Sequence, residues 1–563
     1  MAKLKLPVRK ARIGLINLLR KRQHVPPWLL VSLGGEIDEL PQPHSRVPFA
    51  RFVLPPDSHN VSSLRRMFEQ LGRDPRVHGV VLKIECAAGA SVYQSLRKIV
   101  LDFRACGKRV VAYATSFGPF QYYLACACDQ IVMPPSAEWG ITGLFREYLF
   151  FKDALDQIGI GIDVVNVSPF KSAFDQFAQS DFSSESRAQA EWLLDATFNE
   201  LVHGISEGRR LSEEQVRRLV DGAPLGAREA KTCGLLDATL YEDELEAFLA
   251  EKTDATPQLA MYDDVRKSLL IPYFERGTKL IGVVKIEGTI VEGRSQSFPL
   301  PIPLPFFGNR FAGAESVVQA LRHAGEDENI AAVILYVDSG GGSALASDLI
   351  AREVRRVRER KPVVAYMGSV AASGGYYVAA LAQSIMAQPL TITGSIGVIT
   401  MKPNVQEAQR KLFLHSTILQ RGTRAGMYGL ATSLSPDERM AVAASIQRVY
   451  DDFKRIVAEG RKLAFEMIEP MAGGRVWTGA MAKERGLVDE LGDFSMAVEK
   501  AHALAGLPEG IRSQVIVVTS PRKPALPTIK AAKEGMSDLR ALWQHFGRAR
   551  NWMILPWVVG KGE

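Results

Sequence analysis

Cysteine is scarce in this 563-residue chain: Cys86, Cys106, Cys126, Cys128 and Cys233 are odd in number and all lie in the first half. No second cysteine pair or histidine stands near Cys126 and Cys128 at zinc-like spacing. The five read as reduced, mostly buried small apolar residues, which points to a reducing compartment. Histidine is also sparse, at nine residues, and His415, the first after residue 373, has no surroundings that resemble a serine–histidine–aspartate constellation. Net charge is only +7, mild for this length and no argument for a nucleic-acid partner. Acid is missing from the N-terminus, where Lys3, Lys5, Arg9, Lys10, Arg12, Arg20, Lys21 and Arg22 all precede Glu36. That segment lacks the roughly 18 to 20 uninterrupted apolar residues of a spanning helix, and it lacks a small-residue cleavage site.

What is present describes a folded protein. Hydrophobic content of 47% and charged content of 23% are ordinary, and the length requires two or more cores. Ile13, Leu15, Ile16, Leu18 and Leu19 interleave with the N-terminal cations, giving a basic amphipathic segment. It suits an anionic membrane surface, and equally a disordered basic tail. The far end mixes Trp543, Phe546, Trp552, Met553, Ile554, Leu555 and Trp557 with Arg548, Arg550 and Lys561. Such a mixture fits a bilayer interface or a helix docked on the body.

The chain is a repeat of long period. Val31-Ser-Leu-Gly-Gly-Glu-Ile37 parallels Val284-Lys-Ile-Glu-Gly-Thr-Ile290, and His78-Gly-Val-Val-Leu-Lys-Ile84 parallels Ala331-Ala-Val-Ile-Leu-Tyr-Val337. Lys108-Arg-Val-Val-Ala-Tyr113 parallels Lys361-Pro-Val-Val-Ala-Tyr366, all at an offset of 253 residues. A constant spacing over such a distance means two copies of one domain. Each copy has helix-like runs (61–71; 314–323) and continuous apolar strand-like runs (79–84; 332–337). That alternation predicts an α/β fold with largely parallel strands covered on both faces. The expected division is a basic N-terminal segment 1–29, a first repeat 30–252, a linker 253–278, a second repeat 279–520 and a basic, aromatic tail 521–563. A proline-rich apolar loop at residues 298–307 would line an apolar groove, touch lipid, or cover the protein's own core.

The copies differ in a complementary way. After an apolar run, Val363-Val364-Ala365-Tyr366, the second copy has Gly368-Ser369-Val370-Ala371-Ala372-Ser373-Gly374-Gly375, then a helix-like run at 376–381. A serine among small residues at such a turn has an exposed hydroxyl, and nearby N–H groups at a helix start favour developing negative charge. The first copy has Gly118-Pro119-Phe120-Gln121 there, without a hydroxyl. The second copy also carries Asp338-Ser339-Gly340-Gly341-Gly342-Ser343, where the first has the bulkier Glu85-Cys86-Ala87-Ala88-Gly89-Ala90. A serine needs a base, and the first copy offers Lys171 among Phe170, Phe174 and Phe177, where an amine would be desolvated and its pKa lowered. Its counterpart by the same offset falls around Ala425-Gly426. One half has the serine and the other the lysine.

These residues resemble the signal peptide peptidase A (protease IV) family in its long, tandem form, over roughly residues 30–507. The resemblance rests on the 338–343 loop, the turn at Ser373-Gly374-Gly375, Thr393-Gly-Ser-Ile-Gly-Val398, Gly474-Arg-Val-Trp-Thr-Gly479, and Gly486-Leu-Val-Asp489. It departs from the family at Gly340, where proline is usual. The resemblance implies two Clp protease/crotonase-like superhelical domains, a membrane-bound enzyme and a homotetramer. It implies Ser373 as nucleophile, Lys171 as general base, Ser395 as the serine that hydrogen-bonds the lysine, and the Gly374 and Gly341 N–H groups as the oxyanion hole. The expected function is a membrane-associated serine endopeptidase with a serine–lysine dyad, cutting apolar peptides such as signal-peptide remnants at a membrane or lipid surface. No metal or other cofactor is needed. The alternatives are a non-catalytic membrane scaffold of the same fold and a crotonase-type acyl-CoA enzyme.

Overall fold

The computed structural model describes residues 2–41, 60–250, 258–297, 309–520 and 552–554. The proline-rich loop at 298–307 and most of the C-terminal tail lie outside the described residues. The chain forms two compact units: Met1–Phe145 with Leu194–Thr278, and Arg146–Leu193 with Lys279–Val559. Residues 146–193, part of the first sequence repeat, thus pack with the second.

The first unit is built on a six-stranded parallel sheet. Its order is Ala238–Thr239, Gln130–Met133, Arg109–Tyr113, Gly79–Ala87, Trp28–Glu36 and Leu259–Met261. Val80, Val81 and Leu82 are fully buried in succession, as a strand covered on both faces requires. The helix Val61–Arg73 begins at a capping box, with Asn60 Oδ1 accepting from Ser63 N at 2.9 Å. It buries Val61, Leu64, Phe68 and Leu71, a stripe at three- and four-residue spacing. The N-terminal segment is a helix, Ala2–Arg20, held by polar groups: Ile271 N donates to Asn17 at 2.8 Å and Arg20 donates to Leu269 O at 2.6 Å. Leu15, Leu18 and Leu19 are left exposed. Among the described residues no helix is long and apolar enough to cross a membrane.

The second unit has two sheets. The first runs Val476–Thr478, Ile392–Gly394, Val363–Ala372, Ile330–Ser339, Arg276–Glu287 and Arg512–Val517, with Ser384–Ala387 and Glu490–Leu491 attached to the side. The second runs Gln296–Ser297, Arg310–Gly313, Thr289–Val291, Gly341–Ser343, Trp552–Ile554, Ile399–Asn404 and Gly161–Asn166. Helices Ala314–Glu326, Ala344–Arg358 and Pro436–Arg461 flank them. The tandem α/β arrangement expected from the sequence is the one the chain adopts.

Residues 146–193 are tied in at several points. Gly161–Asn166 pairs antiparallel with Ile399–Asn404 over its full length. The Trp192 indole donates to Val476 O at 2.9 Å and stacks on Trp477 at 5.4 Å, while Gln189 accepts from Val476 N at 2.8 Å.

The region around residue 373 is sharper than its composition suggests. The strand does not stop at Tyr366 but continues to Ala372, because Val370, Ala371 and Ala372 pair with Ile392, Thr393 and Gly394. The helix begins at Gly374 rather than Tyr376. The whole change of direction falls on one residue, Ser373.

Candidate active site

Ser373 adopts φ 56 and ψ −117, a region L-residues avoid and one that costs about 1–3 kcal/mol. The surroundings hold it there. Its N–H donates to Gly394 O at 2.8 Å, and its carbonyl accepts from Tyr377 N at 2.9 Å. The glycines that follow are required by close approach: a methyl on Gly374 would lie 2.6 Å from Ser347 Oγ, and one on Gly375 would collide with Ser339 O. Because Gly374 opens the helix, its N–H has no acceptor within it.

Lys171 lies in the loop between the strand Gly161–Asn166 and the short helix Asp175–Ala178. Its backbone is packed by the 473–475 turn. Gly474 sits at φ 83, and a methyl on it would lie 2.6 Å from Lys171 N. The Ser168 hydroxyl bonds to Gly473 O, and the Arg475 guanidinium stacks 4.3 Å over the Phe170 ring. Gly397 makes room for the stem, since a methyl there would be 3.2 Å from Lys171 Cδ. Of the phenylalanines near Lys171 in sequence, Phe170 joins this setting through Arg475, while Phe174 and Phe177 pack with Ile399; glycines 397 and 474 supply the room for the lysine.

The amine meets three oxygens. Lys171 Nζ is 2.7 Å from Ser373 Oγ, 2.8 Å from Ser395 Oγ and 2.8 Å from Ser395 O. Lys171, Ser373 and Ser395 are each 0% exposed. Burial pushes the lysine well below its ordinary value. Ser395 is also at positive φ, 53, with its N–H donating to Arg475 O at 2.6 Å. Four residues beyond Lys171, burial raises the Asp175 carboxyl to about 6, opposed by the hydrogen bond from Ser186.

Gly341 stands next to this cluster, with its Cα 3.1 Å from the position a methyl on Gly374 would take. Its φ is 104, open to glycine alone in practice. Its N–H is engaged by Ser339 Oγ at 3.1 Å, and that hydroxyl donates to Gly288 O at 2.5 Å. Ser339 was not singled out from the sequence, although it lies inside the glycine loop that was. The roles of Gly397, Gly474 and Arg475 also escaped a reading by residue type, because packing against a lysine backbone leaves no mark in composition.

All five residues expected from the sequence thus lie in one unit and converge on one buried point. Residues 102–256 and 355–508 each match peptidase family S49. The chain belongs to that family. It is 32% identical to a chloroplastic serine protease SPPA of Arabidopsis thaliana over 84% of this chain and 69% of the relative. It is likewise 32% identical to protease 4 of Haemophilus influenzae over 77% of this chain and 71% of the relative. Among solved structures, a ClpP1 mutant from Listeria monocytogenes is similar over 38% of this chain and 93% of its own, at 17% identity and TM-score 0.24. The resemblance to the signal peptide peptidase A group is borne out by the curated relatives. This member of family S49 is a serine peptidase, a hydrolase acting on peptides, with two α/β repeats of that family in tandem.

Proposed function

We propose that the chain is a membrane-associated serine endopeptidase working through a Ser373–Lys171 dyad on extended apolar peptides, signal-peptide remnants among them. The observation that carries this reading is the 2.7 Å separation of Lys171 Nζ and Ser373 Oγ at a fully buried site. A neutral amine has two N–H groups and one lone pair. The Ser395 carbonyl can only accept, so it takes one N–H; the Ser395 hydroxyl takes the other. The lone pair then faces the Ser373 O–H, ready to receive its proton.

In the reaction, Lys171 takes the Ser373 proton as Oγ attacks the scissile carbonyl. The oxyanion is held by Gly374 N–H and by Gly341 N–H, the second exchanging Ser339 Oγ for the substrate oxygen. The ammonium gives its proton to the leaving amine, and an acyl-enzyme remains. Water, deprotonated by the same lysine, then releases the acid. Ser395 keeps the amine aimed in both halves of the cycle.

Membrane association is supported by the exposed Leu15, Leu18 and Leu19 on a helix that carries Arg12 and is followed by Lys21 and Arg22. A homotetramer is proposed on the family resemblance. The dyad is tested with a fluorophosphonate probe on the full chain. Ser373 should be the labelled residue, and Lys171→Met should slow labelling and peptide hydrolysis by about 10³-fold or more. Labelling that persists in Ser373→Ala, or that ignores Lys171→Met, eliminates the dyad and leaves a scaffold or another chemistry.

A further inference from the structure

The turn that packs on Lys171 is itself gripped from two flanks. Gly473 O accepts from the Ser168 hydroxyl, which belongs to the lysine loop, and Gly473 N donates to the Tyr450 hydroxyl at 2.9 Å. Tyr450 comes from the middle of the helix Pro436–Arg461 and is 3% exposed. Its phenol donates to Glu469 Oε1, again at 2.9 Å. Glu469 Oε2 accepts from Lys454 Nζ at 3.0 Å, and that ammonium lies 3.3 Å from Asp451.

The direction of each bond follows from the groups. An ionised carboxylate can only accept, so the phenol proton points at Glu469 and an oxygen lone pair is left for Gly473 N–H. Burial, with the Glu469 charge beside it, pushes the phenol up from its ordinary value, so it keeps its proton at neutral pH. The hydroxyl therefore presents a fixed acceptor to the turn.

What that acceptor holds bears on the amine. Lys171 N donates to Ser168 O at 3.0 Å, so the lysine loop and Gly473 are joined residue to residue. A methyl on Gly397 would lie 3.0 Å from Gly474 N and 3.2 Å from Lys171 Cδ, which leaves no slack between the turn and the lysine stem. On its far side the turn fixes Ser395, whose N–H donates to Arg475 O at 2.6 Å. Gly473 and Gly474 stand at φ 64 and 83, and two glycines in succession do not keep one shape without outside contacts. Tyr450 supplies such a contact from a helix that carries neither the serine nor the lysine.

We propose that Tyr450, backed by Glu469, is a positioning residue for peptide hydrolysis: its hydroxyl holds the 473–475 turn against the Lys171 loop, keeping the amine aimed at Ser373 and closed to water. That role rests on the reading of Lys171 as the base. The charged groups around the phenol are Glu469, Lys454, Asp451 and Arg475, and Asp175 is the buried carboxyl on the lysine's own loop.

The test uses the full chain and reads fluorophosphonate labelling of Ser373 against pH, beside kcat and KM for an apolar peptide. Tyr450→Phe keeps the ring and removes the hydroxyl. It should lower kcat and the maximal labelling rate about tenfold or more and leave KM within about twofold. The acid limb should also move up by about half a pH unit or more, toward the ordinary lysine range, because water then reaches the amine. The shift should persist with Asp175→Asn in place, which assigns the limb to the lysine. Glu469→Leu, which takes the acceptor from the phenol, should act in the same direction, and Glu469→Gln, which keeps one, should recover most of the loss. Wild-type rates in Tyr450→Phe, or slower rates with the limb unmoved, overturn the inference, since a residue that merely supports the fold would not move the limb. Failure of the dyad shows separately, as labelling that ignores Lys171→Met whatever stands at residue 450.

Discussion

The two copies build the same turn to different depths. In both, a tyrosine near the start of the following helix is buried and donates to the carbonyl of an equivalent leucine: Tyr122 to Leu235 O at 2.6 Å, Tyr376 to Leu487 O at 2.9 Å. Upstream of that anchor they part. In the first copy the strand ends at Tyr113, and Gly118 leads into the helix at φ −77 with its N–H bonded to Gln121 Oε1 at 2.7 Å. Glu138–Trp139 and Leu225–Gly226 form a separate two-stranded sheet. In the second copy the equivalent pair, Ile392–Gly394 with Val476–Thr478, is joined to the main sheet through Val370, Ala371 and Ala372. That junction places Gly394 and Ser395 beside Ser373. The lesson is that the site depends on three extra residues of strand pairing as much as on a serine.

The largest way to break this difference is Gly374→Ala. Its methyl would press on Ser347 Oγ and Gly341 and displace the amide proposed to hold the oxyanion. We expect kcat to fall about 100- to 1000-fold with little change in KM, measured with a quenched-fluorescent apolar peptide. Loss of less than tenfold would remove Gly374 from the chemistry. Next comes pH. Burial lowers the folded-state pKa of Lys171, the proposed base, so activity should fall about tenfold per unit as pH drops below that value and plateau above it. The plateau should begin below the ordinary lysine range. An acid limb centred near 10.5, the ordinary lysine value, would mean a solvated amine and contradict the site. The smallest expected effect sharpens the comparison from the other side. Pro119 stands three residues before Tyr122, as Ser373 stands before Tyr376. Pro119→Ser should leave peptide hydrolysis unchanged and, added to Ser373→Ala, should restore no fluorophosphonate labelling, because the first copy's turn lacks the strand junction and Lys171 is bonded to Ser395 at the other turn. Labelling at residue 119 would show that the hydroxyl alone suffices.

Much of this was legible in the residues. Unbroken apolar runs such as 79–84 and 332–337 define buried parallel strands, and the offset of 253 residues reveals the duplication. The serine and lysine emerged as a pair only by comparing the copies, since Lys171 alone reads as a surface lysine with an apolar stem. Other features were hidden for physical reasons. Gly368 to Ala372 have the composition of a turn, and only pairing with Ile392–Gly394 makes them strand. Trp552–Ile554 is too short for any periodicity, so its aromatic and basic neighbourhood suggested an interface or a helix. The docking of residues 146–193 depends on contacts such as Trp192 with Trp477, which no local pattern announces.

The turn at 473–475 sets the time at which the site comes into being. Gly474 packs on the Lys171 backbone, and Arg475 O holds Ser395 N. A ribosome releases Lys171 about 300 residues before it releases Arg475. A nascent chain that ends between Lys171 and Arg475 carries the lysine, and beyond residue 373 the serine too, without the contacts that fix them, so the proposed hydrolytic centre is completed only once residue 475 has emerged.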